Sequence, residues 1–331
     1  MNDITVIIPT INRHEYLKRT INIYKKNNVK FKVIVVDSTA KPLDLSFFKD
    51  APFVKYFHKP EIKSGREAQK FALNNTFTKY CIYHGDDDFL LQFDLKFLED
   101  FLNNNDDYSA AAGQMYSFKL KNDQPKGELL SLNHYPTINL EETTPIQRLK
   151  KISRKYTVIF FYVTHTKYLK ESMEIGNPTS LQEFKDEIFH VFYLSMVGKI
   201  KIMQFNYLLR QTHSNHFTME KSLDTLLVNE QSFLTLLNSI DLFAKKFNYL
   251  NYHDDKLKNF LLKIVIRYFY SSINYKFQDI YFLNKILSKN RYIYKLARIL
   301  FESKKKLYQK LKIQKLNKKI ISKSIIDLLE K

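Results

Sequence analysis

Two short runs, Ile4-Thr5-Val6-Ile7-Ile8 and Val33-Ile34-Val35-Val36, are apolar at nearly every position and rich in β-branched residues. A strand with one wet face alternates. A strand that is apolar throughout is covered on both faces, which is the signature of a parallel sheet flanked by helices. Between the runs, Leu17, Ile21 and Tyr24 recur at helical spacing, and Pro9 ends the first run because proline cannot donate to a central ladder. Strand, helix and strand within the first 37 residues make a βαβ unit with a right-handed crossover. This constrains the chain to the α/β class.

The pattern then repeats. Residues 54–58 form a third expected strand, and Ser64-Gly65-Arg66-Glu67 opens a helix that Asn74-Asn75 closes. Tyr80-Cys81-Ile82-Tyr83 is the fourth buried run, and it stops at His84-Gly85-Asp86-Asp87-Asp88. Three strand exits are therefore polar: Thr10 to Arg13, Asp37, and Asp86 to Asp88. In a parallel sheet these exits share one edge, where open α/β sheets bind ligands. Adjacent carboxylates disfavour one another's charge. The partner that offsets this is a hard divalent cation, Mg²⁺ or Mn²⁺, held by carboxylate and phosphate oxygens. The competing reading is a solvated acidic turn.

Charge is informative by position. From residue 256 onward the chain carries 20 Lys+Arg against 4 Asp+Glu, so +16 of the total +19 sits in that segment. Leu296, Leu300, Leu307 and Leu311 fall near helical multiples among Lys304, Lys305, Lys306, Lys310 and Lys312. A helix with one apolar stripe and a lysine-rich remainder suits an anionic membrane surface, and the competing reading is a solvated helix packed on the domain. No nucleic-acid-binding motif accompanies the charge, and no nucleic acid partner is expected. The single cysteine, Cys81, excludes an intramolecular disulfide and fits a reducing compartment. No leader-like segment is visible, so the expected location is cytoplasmic, peripheral on the inner face of the membrane where the basic segment engages it.

Downstream, residues 95–101 read as a helix and 106–113 as a loop and strand. Residues 119–145 read either as a loop over the ligand side of the sheet or as a plain surface insertion, and 158–163 as a further buried strand. Leu181 opens a helix running to Gly198, with Asp186-Glu187 early in it. Acidic residues there also suit a helix N-terminus for purely structural reasons. Residues 201–209 follow as a strand, and Arg210-Gln211-Thr212-His213 as a polar exit, with His216 beyond. Beyond residue 216 the chain has no Pro or Gly and a helical period. The expected division is an α/β domain at 1–216 and a basic helical region at 217–331.

Three of these segments, Thr5-Val6-Ile7-Ile8-Pro9-Thr10-Ile11-Asn12-Arg13, Val33-Ile34-Val35-Val36-Asp37 and Gly85-Asp86-Asp87-Asp88, resemble the family 2 glycosyltransferases of the GT-A fold. The resemblance implies a Rossmann-like, mostly parallel sheet. It also implies a hexosyl-transfer enzyme using a nucleotide-diphosphate sugar, with a UDP-sugar as the expected donor. The expected acceptor is a hydroxyl of a glycan or lipid-linked saccharide of the surface-polysaccharide type, with inversion and a metal requirement. It implies nucleotide contacts at Thr10, Arg13, Asp37, Arg66, Asp86 and Asp87, and a Mg²⁺ or Mn²⁺ site at Asp88 and Asp86. His213 of an R-x-x-H segment is the third metal ligand, with His216 as its competitor. Where the family carries its first acidic residue, this chain has Gly85, which leaves open which aspartate touches the metal. Spacing to Gly198 places Glu187 at the catalytic carboxylate, with Asp186 as the alternative. A nucleotidyltransferase of related architecture is the second reading, against which Pro9 to Arg13 lacks a glycine-rich loop, and a basic nucleic-acid- or membrane-binding protein is the third, suggested by the lysine-rich end and opposed by the aspartate cluster in the ordered domain.

Overall fold

The computed structural model describes residues 2–122, 124–154, 157–175, 182–213, 230–247 and 258–264, with the backbone alone at 182–187 and 230–237. The chain divides into two compact units, Met1–Tyr268 and Phe269–Lys331, and every described residue lies in the first. The expected boundary at 216/217 and the lysine-rich helix lie outside the described residues.

The opening βαβ repeat forms as its pattern dictates. Strand β1 (Ile4–Thr10) is followed by helix α1 (His14–Lys26), β2 (Lys32–Asp37), β3 (Val54–His58), helix α2 (Gly65–Asn74) and β4 (Tyr80–Tyr83). β1 pairs in parallel with β2 and β4, and β2 with β3. The register sets Thr10 beside Asp37 at one edge of the sheet and Ile4 beside Tyr80 at the other. Ser64 caps α2 by accepting from the Glu67 amide at 3.2 Å. Ala68, Ala72 and Leu73 then pack on Ile7, Ile34, Val36, Cys81 and Tyr83, joined by Leu169 and Met173 from a later helix. Cys81 is fully buried in this layer, and burial pushes its thiol up to about 12, so it is an inert core residue.

The second half completes the sheet. It comprises β5 (Phe89–Leu90), α3 (Lys96–Asn103), β6 (Tyr108–Leu120), β7 (Leu129–Tyr135), α4 (Pro145–Ile152), β8 (Val163–His165), α5 (Thr166–Glu174), α6 (Gln182–Val197), β9 (Lys199–Gln211) and α7 (Glu230–Lys246). The sheet order is β3-β2-β1-β4-β8-β6-β9-β5, with β7 hydrogen-bonded to β6. β6 and β9 run parallel, while β8, β5 and β7 are antiparallel to their neighbours. The result is a mostly parallel, mixed sheet covered by helices, the GT-A arrangement. Phe243 of α7 and Phe247 just beyond it meet Phe189 and Tyr193 of α6 with ring centroids 5.9 and 5.5 Å apart.

Three expectations need correction. Pro9 does not end β1: the strand runs through it to Thr10 with Pro9 beside Val36, which is tolerated because β4 stops opposite Ile7 and leaves Pro9 a ladder partner on one side only. Residues 158–163 are not a strand: only Val163–His165 joins the ladder, while Ile159 and Tyr162 are fully buried in a turn closed by Tyr162 N–H to Ile159 C=O. An apolar run reports burial, and burial does not require a ladder partner. Residues 119–145 are not a single loop, because Leu129–Tyr135 pairs with β6 as a half-exposed edge strand. Such an edge carries polar residues and so lacks the apolar signal. The same stretch ends in α4, which begins in a capping box between Thr144 and Gln147 with Pro145 in its first turn.

Gly198 sits where α6 turns into β9. A Cβ there would lie 2.5 Å from the Ser109 backbone nitrogen and 2.8 Å from its Cβ. Gly198→Ala must therefore push β6 and β9 apart, and a loss of about 1–3 kcal/mol is expected. Chemical denaturation of the variant against the wild type measures it.

Candidate active site at the carboxyl edge

The exit of β1 is shaped by Asn12. It adopts φ 56°, a left-handed conformation that asparagine tolerates, and its amide donates to Thr39 Oγ1 at 2.8 Å. That turn delivers Arg13 to the head of α1, over the exit of β4. There the Asp88 amide donates to the Gly85 carbonyl, folding the three aspartates into a tight turn. A Cβ on Gly85 would lie 2.4 Å from Asp87 Oδ1, so the missing side chain at this position is the space the Asp87 carboxylate occupies.

Each aspartate has a different set of partners. Asp86 accepts from Thr10 Oγ1 at 2.6 Å and faces Arg13 Nε at 3.2 Å. Asp87 Oδ2 meets Arg13 Nη2 at 2.5 Å and His213 Nε2 at 2.7 Å. Asp88 is held by main chain: Gly85 N–H at 3.3 Å and Gln211 N–H at 3.2 Å each reach one of its oxygens, and Arg210 Nε stands 3.6 Å away. All three residues are at least nine-tenths buried. Burial and then the charge of Asp87 push the carboxyls of Asp86 and Asp88 up. Burial would raise Asp87 as well, but His213 and Arg13 outweigh it and hold that carboxyl far below the ordinary range. Of the three, Asp87 has the partners that favour the ionised form.

Asp37 is fully buried at the neighbouring exit. It accepts from Tyr56 OH at 2.6 Å and from the Thr39 amide at 2.9 Å, and lies 2.7 Å from His14 Nε2. Burial would raise its carboxyl; the contacts from Thr39, Tyr56 and His14 outweigh that and lower it. Phe48, in a short 3₁₀ turn, stacks on Tyr56 at 4.8 Å.

The remaining expected residues divide. His213 joins the cluster, stacked on Tyr16 with ring centroids 5.6 Å apart. Arg66, in the first turn of α2, donates to the Met173 carbonyl at the end of α5 and touches none of the three aspartates. Asp186 and Glu187 lie on the α6 backbone, and their side chains are outside the described residues, as is His216.

Four contributors carry no sequence signal. Arg19, 5% exposed, donates from Nη1 to Pro125 C=O and Gln211 Oε1 and from Nη2 to Asp87 C=O, so one guanidinium fastens α1, β9 and the acidic turn. Thr20 Oγ1 lies within hydrogen-bond distance of the Asp86 and Asp88 carbonyls, at 2.9 and 3.2 Å. Tyr24 OH donates to His84 Nε2 at 2.7 Å and accepts from Leu90 N–H. His84 Nδ1–H is then free to donate to the Gly85 carbonyl at 2.7 Å. Arg19, Thr20 and Tyr24 sit on a helix otherwise read as amphipathic, where a polar residue on the inner face looks like noise until its partner is known, and His84 follows β4.

Two outcomes are expected. Gly85→Ala should push the buried Asp87 carboxylate off Arg13 and His213, weakening ligand binding in the crevice and lowering the melting temperature. Calorimetry and a nucleotide titration of the same sample check both halves. His84 is fully buried, and burial lowers it to about 4. A depressed histidine contributes stability that is whole above about 6.5, its ordinary pKa, and is lost as pH falls toward 4. The stability difference between wild type and His84→Gln should therefore shrink by up to about 1.4 kcal/mol per pH unit across that window. A difference that stays constant from pH 7 to 4.5 would contradict the buried neutral imidazole.

Comparison with known proteins agrees with this geometry. Residues 5–175 match the family model described as glycosyl transferase family 2, which is more than half of the chain. No curated protein sequence matches. Among solved structures, S. aureus TarS superimposes with a TM-score of 0.52 at 17% identity, over 81% of this chain and 44% of TarS. TarS 1-349 in complex with UDP gives 0.53 at 17% identity, over 83% of this chain and 73% of that one. The form in complex with UDP-GlcNAc gives 0.51 at 17%, over 87% and 79%. The present chain thus spans less than half of the first of these TarS chains. Parallel strands that end in Thr10, Asp37 and the Asp86–Asp88 turn, together with the family match, make this chain a family 2 glycosyltransferase of the GT-A fold.

Proposed function

We propose that the crevice transfers a hexosyl group from a nucleotide-diphosphate sugar, of the UDP class, to a hydroxyl of a glycan or lipid-linked saccharide, with inversion. The observation that carries this reading is the meeting of Arg13, Asp86, Asp87 and His213 at 2.5–3.2 Å on the sheet edge. Arg13 is a fork suited to diphosphate oxygens, and Asp37 with Thr10 flanks it where a nucleoside would lie. The TarS structures with UDP and UDP-GlcNAc support the donor class through likeness of fold.

The donor chemistry fits a divalent cation. His213 Nε2 lies 2.7 Å from Asp87 Oδ2 and 2.9 Å from Arg13 Nη2. One ring nitrogen cannot both donate to the carboxylate and accept from the guanidinium, but it can share a cation with the carboxylate. Among the described residues no group of three or more His, Cys, Asp or Glu is arranged to hold an ion. Mg²⁺ or Mn²⁺ bound through one or two protein ligands and substrate phosphates needs no more. Asp87 and His213 would hold it, while Asp88, pinned by two amides, anchors the turn and Asp86 orients Arg13. Such an ion supplies positive charge opposite the departing diphosphate.

The reaction is a single displacement. The acceptor oxygen bonds to the anomeric carbon as the bond to the β-phosphate oxygen breaks, and the nucleoside diphosphate leaves. The hydroxyl proton passes to a carboxylate of α6, with Glu187 the first choice and Asp186 the alternative. Attachment of the lysine-rich segment to an anionic membrane, on the inner face, belongs to the same proposal and rests on sequence alone.

Thermal stabilisation by UDP with and without Mn²⁺ tests the site. Asp87→Asn should lose the Mn²⁺-dependent increment and Asp88→Asn should mainly lower the melting temperature. An increment that survives in Asp87→Asn would overturn the metal assignment. Transfer measured with Glu187→Gln should fall about 10²–10⁴-fold with donor affinity retained. If Asp186→Asn is the inactive variant instead, the role moves one residue.

A further inference from the structure

One atom of the crevice touches both groups assigned to the cation. Arg13 Nη2 lies 2.5 Å from Asp87 Oδ2 and 2.9 Å from His213 Nε2, and those two atoms are 2.7 Å apart. Three polar atoms this close cannot all be paired by hydrogen bonds. With a proton on Nε2 the ring turns a donor toward the guanidinium, and without one it turns an acceptor toward the carboxylate oxygen. In either form one contact of the three is repulsive.

The guanidinium is also held in a way that lets it leave. Its Nε faces Asp86 Oδ1 at 3.2 Å but is buried without a hydrogen bond. Asp87 accepts from Nη2 alone, so neither carboxylate receives the two parallel N–H bonds that make an arginine–carboxylate pair strong. Arg19 is the contrast: it is buried and donates to acceptors on three other parts of the chain, which makes it a fixed strut. Tyr16, one turn along α1, gives Arg13 a support that does not depend on the aspartates. Its ring lies 4.6 Å from Arg13 Cζ and stacks on His213 with centroids 5.6 Å apart. An arginine resting on an aromatic face can exchange one anion for another and keep that support.

We propose that Arg13 and the divalent cation exclude one another at Asp87, so that the crevice takes its cation together with the donor diphosphate and not alone. This rests on the assignment of the cation to Asp87 and His213. A guanidinium and a cation cannot both sit against the same carboxylate oxygen and ring nitrogen, because like charges in contact repel. The diphosphate resolves the competition: its oxygens accept the Arg13 fork in parallel bonds and draw it off Asp87. Arg13 is thereby a positioning residue that ties cation binding to donor binding.

Titration of the full chain with Mn²⁺, in the absence and presence of UDP, tests the proposal. Without nucleotide, Arg13→Gln should bind Mn²⁺ at least about tenfold tighter than wild type, the value of one released hydrogen bond between charged groups. Adding Asp87→Asn to that variant should remove the gain. UDP should tighten Mn²⁺ by a larger factor in wild type than in Arg13→Gln, because the coupling between the two ligands runs through Arg13. The wild type supplies a second measurement that does not depend on how the variants fold. Phenylglyoxal modifies accessible guanidinium groups, and peptide mass spectrometry reads the modification at Arg13. Mg²⁺ alone, at saturating concentration, should raise labelling of Arg13, and Mg²⁺ with UDP should lower it again. Equal Mn²⁺ affinity in wild type and Arg13→Gln, or labelling that Mg²⁺ leaves unchanged, would overturn the exclusion while the cation assignment stands. Mn²⁺ binding that Asp87→Asn leaves unchanged would overturn the assignment and the exclusion together.

Discussion

The structure depends on neutralising an acidic turn that the sheet has buried. Asp86, Asp87 and Asp88 are 4%, 7% and 2% exposed, and three adjacent carboxylates at that depth would be untenable alone. α1 supplies the compensation from one helix: Arg13 to two of the carboxylates, Arg19 and Thr20 to the carbonyls of the turn. Removing one member of a buried ion pair costs about 3–5 kcal/mol because the other charge is left stranded. The turn and the helix therefore form one unit, and the position of α1 fixes the shape of the crevice.

That unit reaches across the sheet through β9. Asp88 accepts from the Gln211 amide, and the Gln211 side chain in turn meets Arg19 and the Gln124 carbonyl. The strand exit that carries His213 is thereby fastened to the same turn that His213 contacts through Asp87. A long strand that pairs with β6 through a shifted register is thus locked in phase at its functional end. The arrangement explains why the last residues of β9, far from the aspartates in sequence, lie against the acidic turn.

At the carboxyl edge of the sheet carboxylates face guanidinium groups, with Arg13 beside Asp86 and Asp87 and Arg210 near Asp88. Polar residues gather there because the strands end there and the chain leaves the ladder.

The sequence by itself determined the βαβ repeat. Uniformly apolar runs that give way to polar residues at Thr10, Asp37 and Gly85–Asp88 specify buried parallel strands, and parallel strands force their exits to one edge. The family resemblance followed from the same three segments. Sequence also marked Arg13, Asp86, Asp87 and His213, because charged or imidazole residues directly after apolar runs are locally conspicuous. Only the tertiary structure decided how these divide the work. Asp87 and His213 are 126 positions apart, and nothing local to either predicts that they meet at 2.7 Å while Asp88 turns to main-chain amides. Arg19, Thr20, Tyr24 and His84 were illegible for the same reason, since the partners of a buried polar side chain lie on other elements. Strand β7 and the buried turn at 158–162 were misread because hydropathy measures the solvent a residue sees, whereas ladder pairing depends on which backbone lies beside it.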